Sequence, residues 1–193
     1  MILKFLKTTH KFCLISIIIF SFSQPIIVSA STGPIIRVLI LKDKKIRIRS
    51  DRSIPLIIKG QGFSNKKFKG LTLKKQNDRT TLLFDKNKQK IYDLKNEEKF
   101  SVSSSDKRGI WVGNKRYAGK LKIFIRDNYI LIVNVLGIEN YLSSVVGSEM
   151  PAKWPLEALK AQAIASRTYA LKQKGNALYD IDSTNKNQVY IGL

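Results

Sequence analysis

From Pro34 to Phe84 the apolar residues come in short runs, several of them alternating with charge. PIIRVLIL (34–41) reads as a strand, and KKIRIRS (44–50), with every second position apolar, as a half-buried one. IPLIIKG (54–60), FKGLTLKK (68–75) and RTTLLF (79–84) read as further short strands, punctuated by Gly, Asn and Asp. The polar, Ser-rich KNEEKFSVSSSDKRG (95–109) is the best boundary candidate, with a long loop as the alternative. GKLKIFIRDNYILIVNVL (119–136) predicts a hairpin: Leu121, Ile123 and Ile125 share one face, Arg126-Asp127-Asn128 supplies the turn, and Tyr129 to Val135 is apolar enough for a central strand. The period then changes. Ile138, Tyr141, Leu142, Val145 and Val146 form one helical stripe, which Pro151 ends near Met150. Pro155 restarts a helix running to about Lys174, with Glu157 at its positive end and Gly175 as the residue after its C-cap. Its alanines (158, 161, 163, 165 and 170) make it thin enough to approach a neighbour closely. The tail ALYDIDSTNKNQVYIGL reads as loop and then a short strand. The prediction is an α+β chain: a β-rich region over 31–108, then a hairpin and a helix-break-helix element over 109–193.

The first thirty residues change the setting. Lys4, Lys7 and Lys11 precede the apolar FCLISIIIFSF (12–22), and VSA (28–30) offers small residues for cleavage after Ala30. This is the pattern of a secretory signal peptide, 1–30, and places the protein outside the cytoplasm, in the periplasm or cell envelope. An uncleaved membrane anchor is the alternative, disfavoured by the short apolar run. Of the 193 residues, 35 are Lys or Arg and 14 Asp or Glu, a net charge of +21, and +18 after removal of residues 1–30. Such a charge calls for an anionic partner: nucleic acid, acidic lipid or an acidic envelope polymer. Cleavage also removes Cys13 and His10, the single cysteine and the single histidine. The remaining chain then has no disulfide, no thiol nucleophile, no Ser-His-Asp triad and no His or Cys zinc ligand. No cofactor and no metal are expected. There are no repeats, no phosphate-binding Gly loop and no nucleic-acid motif.

With imidazole and thiol gone, acid–base chemistry falls to carboxylates. Glu149 sits at the corner between the two helices, where Pro151 and Pro155 stiffen the backbone. One reading is a solvated charge at a helix C-terminus, mildly unfavourable against the dipole. The other is a general acid, walled by Met150 and Trp154 so that desolvation holds its proton near neutral pH. Hydrolytic glycosidases pair two carboxylates. Glu139 lies about 80° off the direction of Glu149 on an ideal helix and suits the dipole of the first turn. Asp180 and Asp182 stay open as second acids. A one-carboxylate, non-hydrolytic glycan cleavage fits the residues better. Arg167 is either a solvated helix cation or a group that binds an anionic sugar substituent or steers Glu149. Gln188 and Tyr190 are candidate hydrogen-bond donors to a sugar, or else one exposed face of a strand.

NKRYAGKLKIFIRDNYILIVNVLGIENYLSSVVGSEMPAKWPLEALKAQAIASRTYAL, followed by YDIDSTNKNQVYIG, closely resembles the SpoIID/LytB family of sporulation stage II protein D and amidase enhancers. The likeness covers roughly Lys115 to Gly192. It implies a substrate, peptidoglycan glycan strands free of stem peptides. It implies a reaction, lytic transglycosylation between N-acetylmuramic acid and N-acetylglucosamine that leaves an anhydro-muramyl end. The catalytic Glu of the EMP motif corresponds to Glu149, and the functional Arg of ARTYA to Arg167. Gln188, Tyr190 and Trp154 are carried as substrate-binding candidates. Other members act as amidase enhancers, which implies a non-catalytic alternative with a cell-wall amidase as partner. A nucleic-acid partner is not expected, and a membrane only if the leader stays uncleaved. Many members carry Cys and His before QVY and hold zinc there; this chain has Asp182, Lys186 and Asn187 in that stretch. The family domain normally continues past QVYIG through further strands, so 109–193 is expected to be an incomplete SpoIID/LytB-type domain.

Overall fold

A computed structural model describes residues 33–193 apart from positions 52, 53, 78, 86, 96, 97, 174, 176, 185 and 186. The expected leader lies outside the described residues, as do Lys174 and Lys186. In chain order the elements are β1 (Ile35–Asp43), β2 (Lys45–Arg49), β3 (Leu56–Gly60), β4 (Phe63–Phe68), β5 (Gly70–Gln76), β6 (Arg79–Phe84), β7 (Asn87–Leu94), β8 (Lys99–Ser104), β9 (Ile110–Val112), β10 (Lys115–Tyr117), β11 (Lys120–Ile125), β12 (Ile130–Gly137), α1 (Ile138–Glu149), α2 (Leu156–Lys172) and β13 (Ile181–Asp182). This is an α+β chain, β-rich before its helices. Among the described residues a seven-stranded sheet runs β13-β1-β12-β11-β8-β3-β4 and a six-stranded sheet runs β10-β9-β2-β5-β6-β7.

Alternation decides which way each strand faces. Ile46 and Ile48 of β2, Leu71 and Leu73 of β5, Ile36 and Val38 of β1 and Leu121, Ile123 and Ile125 of β11 all enter one core shared by the two sheets. Burial of these aliphatic groups, each contributing about 1.5–3 kcal/mol, is the main favourable term. Strand β12 lies between β1 and β11 and is buried on both faces. Ile130, Ile132 and Leu136 face the shared core, whereas Leu131 and Val133 join Phe124 in a smaller cluster beneath Leu178 and Tyr179. The predicted hairpin is β11–β12, in register from Lys120↔Val135 to Ile125↔Ile130.

The segment read as a polar boundary contains β8, which pairs on one side with β11 and on the other with β3. Phe100 and Val102 point into the core while Ser101 and Ser103 point away, so the strand is amphipathic beneath its polar composition. Strands from either side of position 108 therefore share a sheet, and residues 32–193 form one compact unit.

Helix α1 follows β12 directly. Ile138, Tyr141, Leu142 and Val145 of the predicted stripe are buried. Met150 takes extended backbone before Pro151, and its N–H closes the helix on Val146 O at 3.0 Å. Pro155 is the N-cap of α2 and not its first helical residue. At Gly175 a Cβ would lie 1.9 Å from Tyr179 O, so close backbone approach selects glycine. The short strand of the tail is β13, parallel to β1, and QVYIG is irregular. The N–H groups of that stretch go elsewhere: Val189 to a carboxylate and Leu193 to Arg116 O.

Candidate active site

Glu149 is the last residue of α1 and is solvent-exposed. Its Oε1 accepts the backbone N–H of Val189 at 2.7 Å. That charge-assisted bond offsets the unfavourable placement of an anion at a helix C-terminus. The carboxylate opens onto a hollow of about 410 Å³. One wall is a single face of α2, where Gln162, Ala165, Ser166 and Tyr169 follow helical spacing. The other is the irregular segment Asn187–Gln188.

Side chains from the core hold that segment in place. Tyr141 Oη donates to Gln188 Oε1 at 3.0 Å. Tyr169 Oη donates to Asn187 Oδ1 at 2.7 Å, and Asn187 Nδ2 donates to Asp182 Oδ1 at 2.8 Å. Asp182 also accepts from the N–H and hydroxyl of Thr184. Burial, followed by Tyr169 and the Glu149 carboxylate, pushes the Tyr141 phenol well above its ordinary range, so it remains a neutral donor.

The expected site residues separate. Glu149 and Gln188 line the hollow together. Tyr190 does not: it is buried in the core, packs between Tyr117 and Tyr141, and donates to Asn134 Oδ1 at 2.6 Å. The hydroxyl expected to meet a sugar is spent on a buried amide. Trp154 is half exposed in the corner between the helices, and neither it nor Met150 lines the hollow. The hollow beside Glu149 is lined by Gln162, Ser166, Asn187 and Gln188 together with Ala165 and Tyr169, not by the Met150 and Trp154 walls expected. Arg167, about 100° round the helix from Ser166, points away from Glu149 and pairs with Glu139 Oε2 at 2.6 Å. The two open acids are also placed. Asp180 grips Arg37 at 2.5 Å, and Asp182 accepts from Thr184 and Asn187. Neither lines the hollow, where Glu149 is the one carboxylate among the described lining residues.

Sequence reasoning missed Tyr141 and Tyr169 as positioning groups. Tyr141 was legible only as one more apolar position in the α1 stripe. The Val189 N–H carries no residue signature at all. The stretch before Gln188 does not fit a metal: Asp182 is committed to Thr184 and Asn187, and the described residues contain no group of three or more His, Cys, Asp or Glu.

The segment that builds this hollow, from the β11–β12 turn onward, matches the sequence model of the family described as Stage II sporulation protein, over residues 126–193. Residues 126–193 resemble the SpoIID family. Glu149, the α2 wall and the 187–189 clamp thus all fall inside the SpoIID match. The chain is 42% identical over 88 residues to an uncharacterized protein of Brachyspira hyodysenteriae (strain ATCC 49526 / WA1), covering 44% of this chain and 24% of that protein. It is 49% identical over 51 residues to the amidase enhancer of Bacillus subtilis (strain 168), covering 26% of this chain and 7% of that protein. The chain thus spans a quarter or less of the length of these curated relatives. No solved structure matches it.

Proposed function

We propose that the chain acts on the cell wall outside the cytoplasm, cleaving peptidoglycan glycan strands free of stem peptides as a lytic transglycosylase. The observation that carries this reading is the single exposed carboxylate of Glu149, fixed by a main-chain N–H and facing an open hollow that holds no second acid among its described residues. Two-carboxylate hydrolysis needs a partner across the scissile bond, and Asp180 and Asp182 are both engaged elsewhere. One carboxylate suffices when the substrate supplies its own nucleophile. Glu149, protonated on the oxygen not bonded to Val189, gives that proton to the glycosidic oxygen of the leaving sugar. As a carboxylate it then takes the proton of a muramic acid hydroxyl whose oxygen closes on the anomeric carbon. One C–O bond breaks, one forms, and no water is consumed. Gln188, its carbonyl held by Tyr141, turns its amide group to the sugar.

The test is incubation of the chain with amidase-stripped glycan strands, read by mass spectrometry for anhydro ends. The wild-type chain is expected to release them. Glu149→Gln should release none while keeping the wild-type circular dichroism. Equal product from the two proteins refutes the mechanism.

A second reading, a non-catalytic amidase enhancer, is favoured by the likeness to the Bacillus subtilis protein and by the outer face of α2, where Leu156, Ile164 and Leu171 are exposed. It expects stimulation of a cell-wall amidase that survives Glu149→Gln. Leu156→Asp with Ile164→Asp should abolish that stimulation.

A further inference from the structure

A hollow of about 540 Å³ lies on the outer face of the seven-stranded sheet and shares no described lining residue with the Glu149 hollow. Six cations line it: Arg37, Lys59, Lys99, Lys120, Lys122 and Arg126. No Asp or Glu is among its described lining residues. Arg37 is held by Asp180, but Lys59, Lys99, Lys120 and Lys122 are exposed and have no carboxylate within ion-pair distance among the described residues. The sheet register fixes their spacing. Ser101 of β8 pairs with Lys122 of β11 on one side and with Lys59 of β3 on the other. The two lysines therefore stand two interstrand spacings apart in one row, roughly 10 Å. Lys120 and Lys122 are alternate residues of one strand, roughly 7 Å apart. Like charges at neighbouring positions of one sheet face repel. A rigid lattice of uncompensated ammonium groups is therefore an electrostatic cost that a bound polyanion removes.

We infer that this basic hollow is a second binding site for the glycan strand, recognising the carboxylates that removal of stem peptides leaves on successive muramic acid residues. The polymer's identity rests on the glycan-strand reading above; the site's cationic character does not. Stripping by an amidase leaves one lactyl carboxylate on each disaccharide. A β-1,4-linked disaccharide has about the length of the Lys59–Lys122 row, so consecutive carboxylates reach successive ammonium groups. A strand whose lactyl carboxyls are still amide-linked to peptides loses that match. Ala177 and Leu178 line the basic hollow, and Asn187 and Gln188 line the Glu149 one. Single-stranded nucleic acid fits less well because it requires exposed aromatic faces for its bases. The aromatic side chains lining this hollow, Phe100 and Phe124, are both buried.

The experiment measures binding, not turnover, using the full chain carrying Glu149→Gln and fluorescently labelled, amidase-stripped glycan strands of defined length. Adding Lys59→Gln and Lys122→Gln is expected to weaken binding roughly 2- to 30-fold, two exposed ion pairs at their usual strength, and to flatten its salt dependence. Lys74→Gln with Lys115→Gln, the same charge change on the six-stranded sheet, should leave binding near the parent value. Strands whose carboxylates are converted to methyl esters should bind the parent as weakly as the lysine variant binds native strands. Unchanged affinity in the Lys59/Lys122 variant overturns the inference, as does equal loss in the Lys74/Lys115 control. So does tighter, lysine-dependent binding of single-stranded DNA or of anionic lipid vesicles. Strand binding through these lysines without anhydro product from the wild-type chain sinks the enzymatic reading and leaves this site standing. Anhydro product with lysine-independent binding does the reverse.

Discussion

The placement of Tyr190 gives the sharpest test of the fold around the site. Its hydroxyl donates to Asn134 Oδ1 at 2.6 Å, and Asn134 Nδ2 in turn donates to Ala118 O at 2.8 Å. Both residues are buried, and burial holds the Tyr190 phenol well above its ordinary range. Tyr190→Phe keeps the ring packing against Tyr117 and Tyr141 and removes one oxygen. Asn134 Oδ1 is then a buried acceptor without a donor, a loss of about 1–3 kcal/mol. Taking about 2 kcal/mol for a unit of this size, the melting temperature falls by roughly 4–8 °C. The assay pairs thermal unfolding followed by circular dichroism with glycan-strand affinity for the same protein. The expected result is a lower melting temperature and unchanged affinity. An unchanged melting temperature with weakened affinity refutes the core assignment and returns Tyr190 to the substrate.

Arg167→Ala and Glu139→Ala should each cost less than about 1 kcal/mol in urea unfolding, because the pair they break is exposed. Gly119→Ala should destabilise by at least roughly 1–3 kcal/mol, since Gly119 has φ +79° and an added Cβ would meet Val135 O at 2.5 Å; a neutral outcome by urea midpoint would contradict the hairpin geometry. Tyr117, Tyr141 and Tyr190 all have phenols raised by burial, while in the unfolded chain they ionise near the ordinary pH of about 10. Their contribution to stability is therefore complete below about pH 10 and is lost as pH climbs above it. Phenolate absorbance should show these three groups ionising only as the protein unfolds in alkali.

The parts of this fold that sequence reveals are those in which one period dominates. The β11–β12 hairpin and the α1 stripe are legible because Leu121, Ile123 and Ile125, then Ile138, Tyr141, Leu142 and Val145, repeat without interruption. Strand β8 is hidden because its outward face is Ser and Lys, so composition outweighs the alternation of Phe100 and Val102. Glu149 is legible from its corner between two prolines. Its clamp is not, because a backbone N–H belongs to every residue type but proline and only the fold says where it points. Gln188 and Tyr190 are two apart and look equivalent in sequence, yet one meets the hollow and the other the core.

Strand β1 is the first described element of the chain, yet it lies between β12 and β13, with Ile35 opposite Gly137 and Val38 beside Ile181. Its ladder partners are made about a hundred residues later. At ribosomal speed that is a wait of roughly 5–20 s in which Ile35 to Leu41 has no strand to pair with. Time, more than energy, is thus the vulnerable quantity in making this protein. Strand β1 is made before both of its partners, so anything that delays completion lengthens the interval during which two nascent copies can pair with each other.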